Sequence, residues 1–263
     1  MRKLLNIILI LLYPLVPLFA QGDVDEQQRI FYRNERTVAL SLYSNGFGFS
    51  YREGKRLNFL NKRLFEVDLS IVKHPKEIKL SNPNVQTGGN FIFGKLNSTY
   101  FLRGGLGHQH EIFKKMDLGG VAIRYFFIGG PEISISKPIY YNVLYPVGGN
   151  SFELRKEKFD ETLHDPQDIY SKASFFKGLN EIGIVPGLHG RGGFNFEYSK
   201  EDKVIHAIEI GAAVDAFPKK IPIMAADDNK ALFLTLFVSY RIGFVVDPLD
   251  PESTKIPTLF FRK

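Results

Sequence analysis

The chain has 263 residues, of which 44% are hydrophobic and 24% are charged, with a formal net charge of +6 and no cysteine. The lack of cysteine excludes a disulfide framework and a lipid anchor attached through a thiol. The basic residues are neither clustered nor accompanied by an aromatic stacking motif, so the composition argues against a nucleic-acid partner.

The first twenty residues have the layout of a secretory signal. Met1-Arg2-Lys3 is basic, residues 4–19 form an apolar run, and Ala20 is a small residue at its exit. Segments of this kind are normally cleaved, here after residue 20. No later apolar run approaches the length of a transmembrane helix, so the sequence predicts an exported chain without one.

Alternating apolar and polar residues then predict strands along most of the remaining chain. A short strand at 28–33 precedes longer ones, with tight turns at Asn45-Gly46, Gly129-Gly130-Pro131 and Ser199 to Asp202. The longer predicted strands cover 36–43, 46–52, 63–72, 96–108, 119–127, 132–145, 187–198, 203–217 and 231–246.

The longest strands have one wholly apolar face and one face of charges and glycines. Phe194, Phe196 and Tyr198 share a face, for example, while Asn195 and Glu197 lie opposite. This pattern suits a wall between lipid and a polar lumen, whereas a water-soluble barrel of the lipocalin type is apolar inside. The sequence predicts an all-β, antiparallel up-and-down transmembrane barrel in the outer membrane, with ten strands and eight as the alternative.

Loop lengths predict how this barrel is oriented. Tight turns belong in the periplasm and long loops outside, so residues 147–185 are predicted as the largest extracellular loop, with a helix over 165–176. The insertion at 73–95 then falls on the periplasmic side. Because it is the one long connection there, we predict that it docks a protein partner through Lys73, His74, Pro75, Lys76, Glu77, Phe91 and Phe93. The alternative is that Phe91 and Phe93 extend the next strand or plug the lower mouth of the barrel.

Ten ionisable side chains are predicted to point into the lumen. They are Arg52, Glu66, Asp68, Arg103, Arg124, Arg191, Glu197, Glu209, Asp215 and Arg241. Five are basic and five are acidic, and a barrel of eight to ten strands is barely wider than the side chains that fill it. We therefore predict structural ion pairs, with Arg191 diagonal to Glu209, because a selective pore would show one dominant sign.

No enzyme or cofactor site is predicted. The sequence has no Gly-x-Ser-x-Gly elbow and no cysteine nucleophile. His108 and His110 would share one face at a strand end, but two histidines without a third ligand make a poor metal site. The chain is therefore predicted to be non-catalytic, without metal or cofactor.

Several segments carry a resemblance to a known family. They are Arg33-Asn34-Glu35, Asn45-Gly46-Phe47-Gly48, residues 73–77, residues 93–97 and residues 175–181. On these segments the sequence resembles an uncharacterised family of outer-membrane β-barrel proteins of the Bacteroidota. The resemblance implies the barrel fold and the outer membrane, but no activity. The sequence leaves two functions open: a non-catalytic subunit of an envelope complex, for secretion or barrel assembly, and a small pore or lipid-active enzyme.

Overall fold

The computed structural model describes residues 34–85, 87–115, 120–148, 151–199, 203–225 and 229–246. The strands are β1 Asn34–Tyr43, β2 Gly46–Arg56, β3 Asn61–Val72, β4 Lys79–Leu80, β5 Phe91–Ile92, β6 Asn97–Phe113, β7 Ala122–Pro138, β8 Tyr140–Gly148, β9 Ser151–Lys158, β10 Ile169–Lys172, β11 Gly183–Glu197, β12 Val204–Ala216 and β13 Leu232–Val246. A 3-10 helix covers Leu179–Glu181, and no described helix has the length and apolarity to span a membrane. The predicted signal segment, the predicted strand at 28–33 and the tail 247–263 lie outside the described residues.

Eight strands form a closed antiparallel barrel in the order β1-β13-β12-β11-β7-β6-β3-β2. The first and last of them close the ring, with Asn34 paired to Val246 and Tyr43 to Phe237. The all-β barrel predicted from the sequence is confirmed, with the alternative count of eight strands rather than ten.

One error in the strand count lies at the predicted turn Gly129-Gly130-Pro131. These residues lie inside β7, which runs without interruption from Ala122 to Pro138. Gly130 is needed for close packing with β6, because a Cβ atom there would lie 2.2 Å from the backbone oxygen of Gly104. The glycines thus serve an interstrand contact instead of a chain reversal.

The two ends of the barrel differ in their connections. One end, here called the terminal end, carries residues 34 and 246 and the connections at 57–60, 114–121 and 198–203. The other end, the loop end, carries the turn at 44–45 and the connections at 73–96, 139–182 and 217–231. The predicted placement of 73–95 and 147–185 at opposite ends was therefore wrong, since the false turn in β7 inverted every later connection.

The two long connections of the loop end fold together into a cap, defined here as residues 73–96 and 139–182. It contains the sheet β10-β8-β9, the hairpin β4-β5 and an apolar core that includes Phe91, Tyr141 and Ile169. The helix predicted over 165–176 is absent from the structure: residues 169–172 form β10 and pair with β8. The long loop thus supplies strands of its own.

Candidate functional site

The centre of the barrel lumen holds three arginines around two glutamates. Arg52 donates from Nε to Glu66 Oε2 at 2.6 Å and from Nη1 to Glu209 Oε1 at 2.5 Å. Arg241 donates to the same two carboxylates at 2.9 and 3.0 Å, and Arg191 reaches Glu66 Oε1 at 2.7 Å. All five side chains are at most 4% exposed. The cluster therefore has one positive charge in excess.

Toward the loop end, one arginine meets three carboxylates. Arg103 donates from Nη1 to Asp68 at 2.6 Å, and from Nε and Nη2 to Asp215 at 2.9 and 3.0 Å. Glu132 Oε1 lies 3.2 Å from Arg103 Nε, and the Tyr43 hydroxyl donates to Asp68 at 3.0 Å. The excess of negative charge here offsets the positive excess in the central cluster.

Toward the terminal end, Arg124 bridges two carboxylates. Its Nε donates to Glu111 at 3.0 Å and its Nη1 to Glu197. Lys115 holds the other oxygen of Glu197 at 2.7 Å. Ion pairs thus fill the lumen at three levels, from one end of the barrel to the other.

The loop-end mouth of the lumen is closed by apolar side chains. The connection after β12 folds back so that Ile221 and Ile223 are at most 1% exposed. They join a cluster with Phe101 and Phe217, whose ring centroids are 5.0 Å apart. Deeper inside, the pocket lined by residues that include Arg52 and Arg241 has a volume of about 10 Å³, room for about one water molecule. The described part of the barrel is therefore packed instead of hollow.

The structure places all ten predicted lumen residues inside the barrel. Arg191 pairs with Glu66 and not with Glu209 as expected. The reason is that the connection at 198–203 is longer than predicted and sets Arg191 opposite Ala213. Other lumen residues were not predicted: Glu35, Tyr43, Lys62, Glu111, Glu132 and Ser239. The same alternation, extended over the full length of each strand, places most of these residues on the inward face.

The residues predicted to dock a partner belong to the cap interior and its base. Phe91 is 2% exposed against Tyr141, and the Phe93 ring lies 4.9 Å from that of Phe159. The predicted exposure of Phe91 was wrong because the second cap segment covers it, and Phe93 is partly buried against the same segment. Pro75 lies in the turn after β3. There the backbone amide of His74 donates to the Glu77 carboxylate, and the backbone amide of Lys76 donates to the His74 ring. The Lys73 ammonium lies over the Phe47 ring.

The two histidines of the predicted pair contact the same asparagine. His108 Nε2 and His110 Nδ1 lie 2.9 and 2.8 Å from the same oxygen, Oδ1 of Asn61. The described residues contain no group of three His, Cys, Asp or Glu side chains that could hold a metal ion.

Comparison with known proteins gives similarities to solved structures only. No family model and no curated protein matches the chain. The N-terminal β-barrel domain of Pseudomonas aeruginosa OprF is 6% identical with a TM-score of 0.35, over 81% of this chain and 97% of that one. Ail, the attachment invasion locus protein of Yersinia pestis, solved with the heparin analogue sucrose octasulfate, is 9% identical with a TM-score of 0.36, over 81% and 96%.

Neisserial surface protein A is 12% identical with a TM-score of 0.34, over 81% of this chain and 95% of that one. TM-scores this low support no inference about location or activity. The resemblance to the Bacteroidota family stays a prediction.

Proposed function

We propose that this chain is an integral outer-membrane β-barrel protein that spans the bilayer with eight strands, does not conduct, and carries a folded cap at the cell surface. The observation that supports this proposal is the inverted polarity of the barrel. Leu42 and Leu234 on its outside are 70% and 73% exposed, whereas Glu209 and Arg241 inside are 0% and 2% exposed. Water around such a barrel would meet its apolar face, whereas a bilayer would cover it.

The apolar outer face is tall enough to cross a bilayer. Along β13, every second residue from Leu232 to Phe244 is a large apolar or aromatic side chain exposed on the outside. At about 3.3 Å per residue and a strand tilt of about 40°, this face rises about 30 Å. That height matches the hydrocarbon core of a typical membrane.

Aromatic side chains lie on this face toward the terminal end. Tyr198, His206 and Tyr240 stack side by side on the outside of the barrel, and the Tyr240 hydroxyl lies 2.8 Å from His206 Nδ1. Tyr125 lies beside His110 on the same side. Amphipathic rings of this kind favour the boundary between lipid tails and headgroups, where one edge is wet.

The packed lumen favours a structural role over the pore. A crossing ion would have to break guanidinium–carboxylate pairs that are almost completely buried, and then pass the apolar closure at Ile221 and Ile223. We therefore propose a non-catalytic barrel, without cofactor, that anchors the cap to the membrane as an accessory subunit of an envelope complex.

The cap itself offers a surface for a protein partner. Among the described strands, β9 lies at the edge of its sheet and pairs only with β8. Phe152 and Leu154 on this strand are 64% and 52% exposed, beyond the barrel and its lipid-facing band. Exposed apolar side chains among charges are typical of protein interfaces. We propose that β9 contacts another cell-surface protein, in place of the docking site predicted at 73–95.

Two measurements test the proposed membrane barrel. The protein in detergent should migrate faster on a gel unheated than boiled, because a closed ladder without free edges resists detergent. In planar bilayers it should give no steady single-channel current. Extraction from membranes by carbonate would contradict membrane insertion, and a steady conductance would favour the pore.

A pull-down in mild detergent tests the subunit role. The double variant Phe152→Ser/Leu154→Ser should lose co-purifying proteins at stoichiometric level while keeping the heat-dependent gel shift. Glu153→Gln, on the opposite face of the same strand, serves as the control. A wild-type protein that purifies alone would contradict the proposal.

A further inference from the structure

The cap contains a pocket that the structural role of the barrel does not use. It lies between the β4–β5 hairpin and strands β8 and β10, and has a volume of about 250 Å³. Three lysines line it, Lys79, Lys95 and Lys172, together with the apolar side chains of Phe91, Ile139 and Tyr141. The pocket thus combines positive charge with an apolar floor.

The charge in this pocket is only partly balanced. Among the described residues, no carboxylate lines the pocket. Of its three lysines, Lys95 forms an ion pair there, with its Nζ 2.6 Å from Glu77 Oε2. Burial and the neighbouring charge of Lys95 lower the pKa of Lys172, so two ammonium groups repel each other at this site. Three lysines and one glutamate leave a formal charge of +2 for a ligand to neutralise.

The floor of the pocket is held in place. Tyr141 is 1% exposed, and its hydroxyl lies 2.6 Å from the carbonyl oxygen of Ile92 and 2.8 Å from that of Lys95. Phe91 packs edge to face on the Tyr141 ring at 6.4 Å. These contacts fix the floor before any ligand arrives, which lowers the entropic cost of binding.

We propose that the cap pocket binds a phosphomonoester carried on a ring-sized body. A phosphomonoester carries about −1.5 to −2 charges at neutral pH, which matches the charge of the lysines, whereas a carboxylate would leave one lysine unpaired. An apolar cavity of about 150 Å³ holds a benzene ring, so this pocket has room for one ring and its phosphate. The proposal relies on the proposed function only in placing the cap at the cell surface.

Isothermal titration calorimetry of the refolded full chain, in phosphate-free detergent, tests the proposal. The probe is phenyl phosphate, with inorganic phosphate as the anion without a ring and benzyl alcohol as the ring without charge. We expect phenyl phosphate to bind at least tenfold more tightly than either. Equal affinity for inorganic phosphate would show an adventitious ion only and would overturn the proposal.

Variants locate the binding. Lys79→Gln/Lys172→Gln should weaken phenyl phosphate binding at least tenfold, while Lys156→Gln, an exposed lysine on β9 outside the pocket, should leave it unchanged. Unchanged binding in the double variant would overturn the proposal. Each variant is first checked for the heat-dependent gel shift, and if the double variant fails to refold, Lys172→Gln alone replaces it. Loss of the shift in the wild type would instead contradict the barrel.

A last titration distinguishes a free ligand from a lipid headgroup. The protein is placed in nanodiscs of phosphatidylcholine, with or without a monophosphorylated glycolipid, and phenyl phosphate is added. Weaker apparent binding with the glycolipid would identify a headgroup as the occupant, and equal binding would identify a free phosphomonoester. Absence of binding in both membranes would contradict the proposal.

Discussion

Each central charge in the lumen is held by several partners from different strands. Glu209 accepts hydrogen bonds from Arg52 of β2, Arg241 of β13 and Asn195 of β11, and it is completely buried. A buried charge that loses its partner keeps the cost of desolvation without the compensating attraction. The loss of any one charge in this cluster should therefore destabilise the others.

Glu209→Gln tests this dependence, because it keeps the shape and removes the charge. Three arginines would then face Glu66 alone, and we expect the free energy of unfolding to fall by about 3–5 kcal/mol. Urea unfolding in micelles, followed by the heat-dependent gel shift, measures the change. Glu153→Gln, which breaks an exposed pair with Arg155, is the control and should have no measurable effect. Equal effects of the two substitutions would contradict the structural role of the cluster.

Arg191→Ala distinguishes a structural network from a gate. Arg191 donates to Glu66 and lies 4.3 Å above the Phe237 ring, so its removal should destabilise the barrel. Arg52 and Arg241 remain in the lumen, and we expect no steady current in planar bilayers. A large conductance with unchanged thermal stability would instead indicate a gated pore.

At the scale of elements, alternation along the sequence predicts which face of the barrel a side chain occupies better than it predicts how the strands are connected. The inward direction of all ten predicted lumen residues follows from a period of two, which persists even where a strand end is misplaced. Turn composition was misleading at Gly129-Gly130-Pro131, because glycine also serves where two strands approach closely. Contacts across the lumen, such as Arg103 with Asp215, join strands that are not neighbours. A strand-by-strand interpretation cannot supply those contacts.

Two adjacent glycines in β7 provide a matched test of the continuous strand. Gly130→Ala should destabilise the barrel by about 1–3 kcal/mol, because its Cβ would overlap the backbone oxygen of Gly104. In Gly129→Ala the nearest atom to the new Cβ would be the His189 oxygen at 3.5 Å, an ordinary contact, so stability should change little. Urea unfolding of both variants measures the difference. Similar losses at the two positions would favour a turn.

For the whole molecule, the number of strands decides which loops share a side of the membrane. With β7 continuous, the segments at 73–96 and 139–182 leave the barrel at the same end, opposite to both terminal strand ends. In the proposed outer-membrane barrel, long loops outside and short turns in the periplasm would put the cap at the cell surface. One wrongly predicted turn therefore reverses the predicted side of the membrane for every later connection.

Cysteine labelling on intact cells tests this topology, since the chain has no native cysteine. Asn84→Cys and Asp160→Cys, both exposed in the cap, should react with a membrane-impermeant maleimide. Lys203→Cys, exposed at the terminal end, should react only after the outer membrane is permeabilised. If Lys203→Cys alone were labelled on intact cells, the barrel would have the opposite orientation in the membrane.

The pairing of β1 with β13 has a consequence for the order of folding. Asn34 and Val246 are paired although they lie about 210 residues apart in sequence, whereas the β8–β9 hairpin joins neighbouring residues. The local hairpin can form in microseconds, but in the proposed exported barrel the ring cannot close until β13 has also reached the periplasm. During this interval two strand edges stay open to aggregation, so chaperone protection should matter most just before closure.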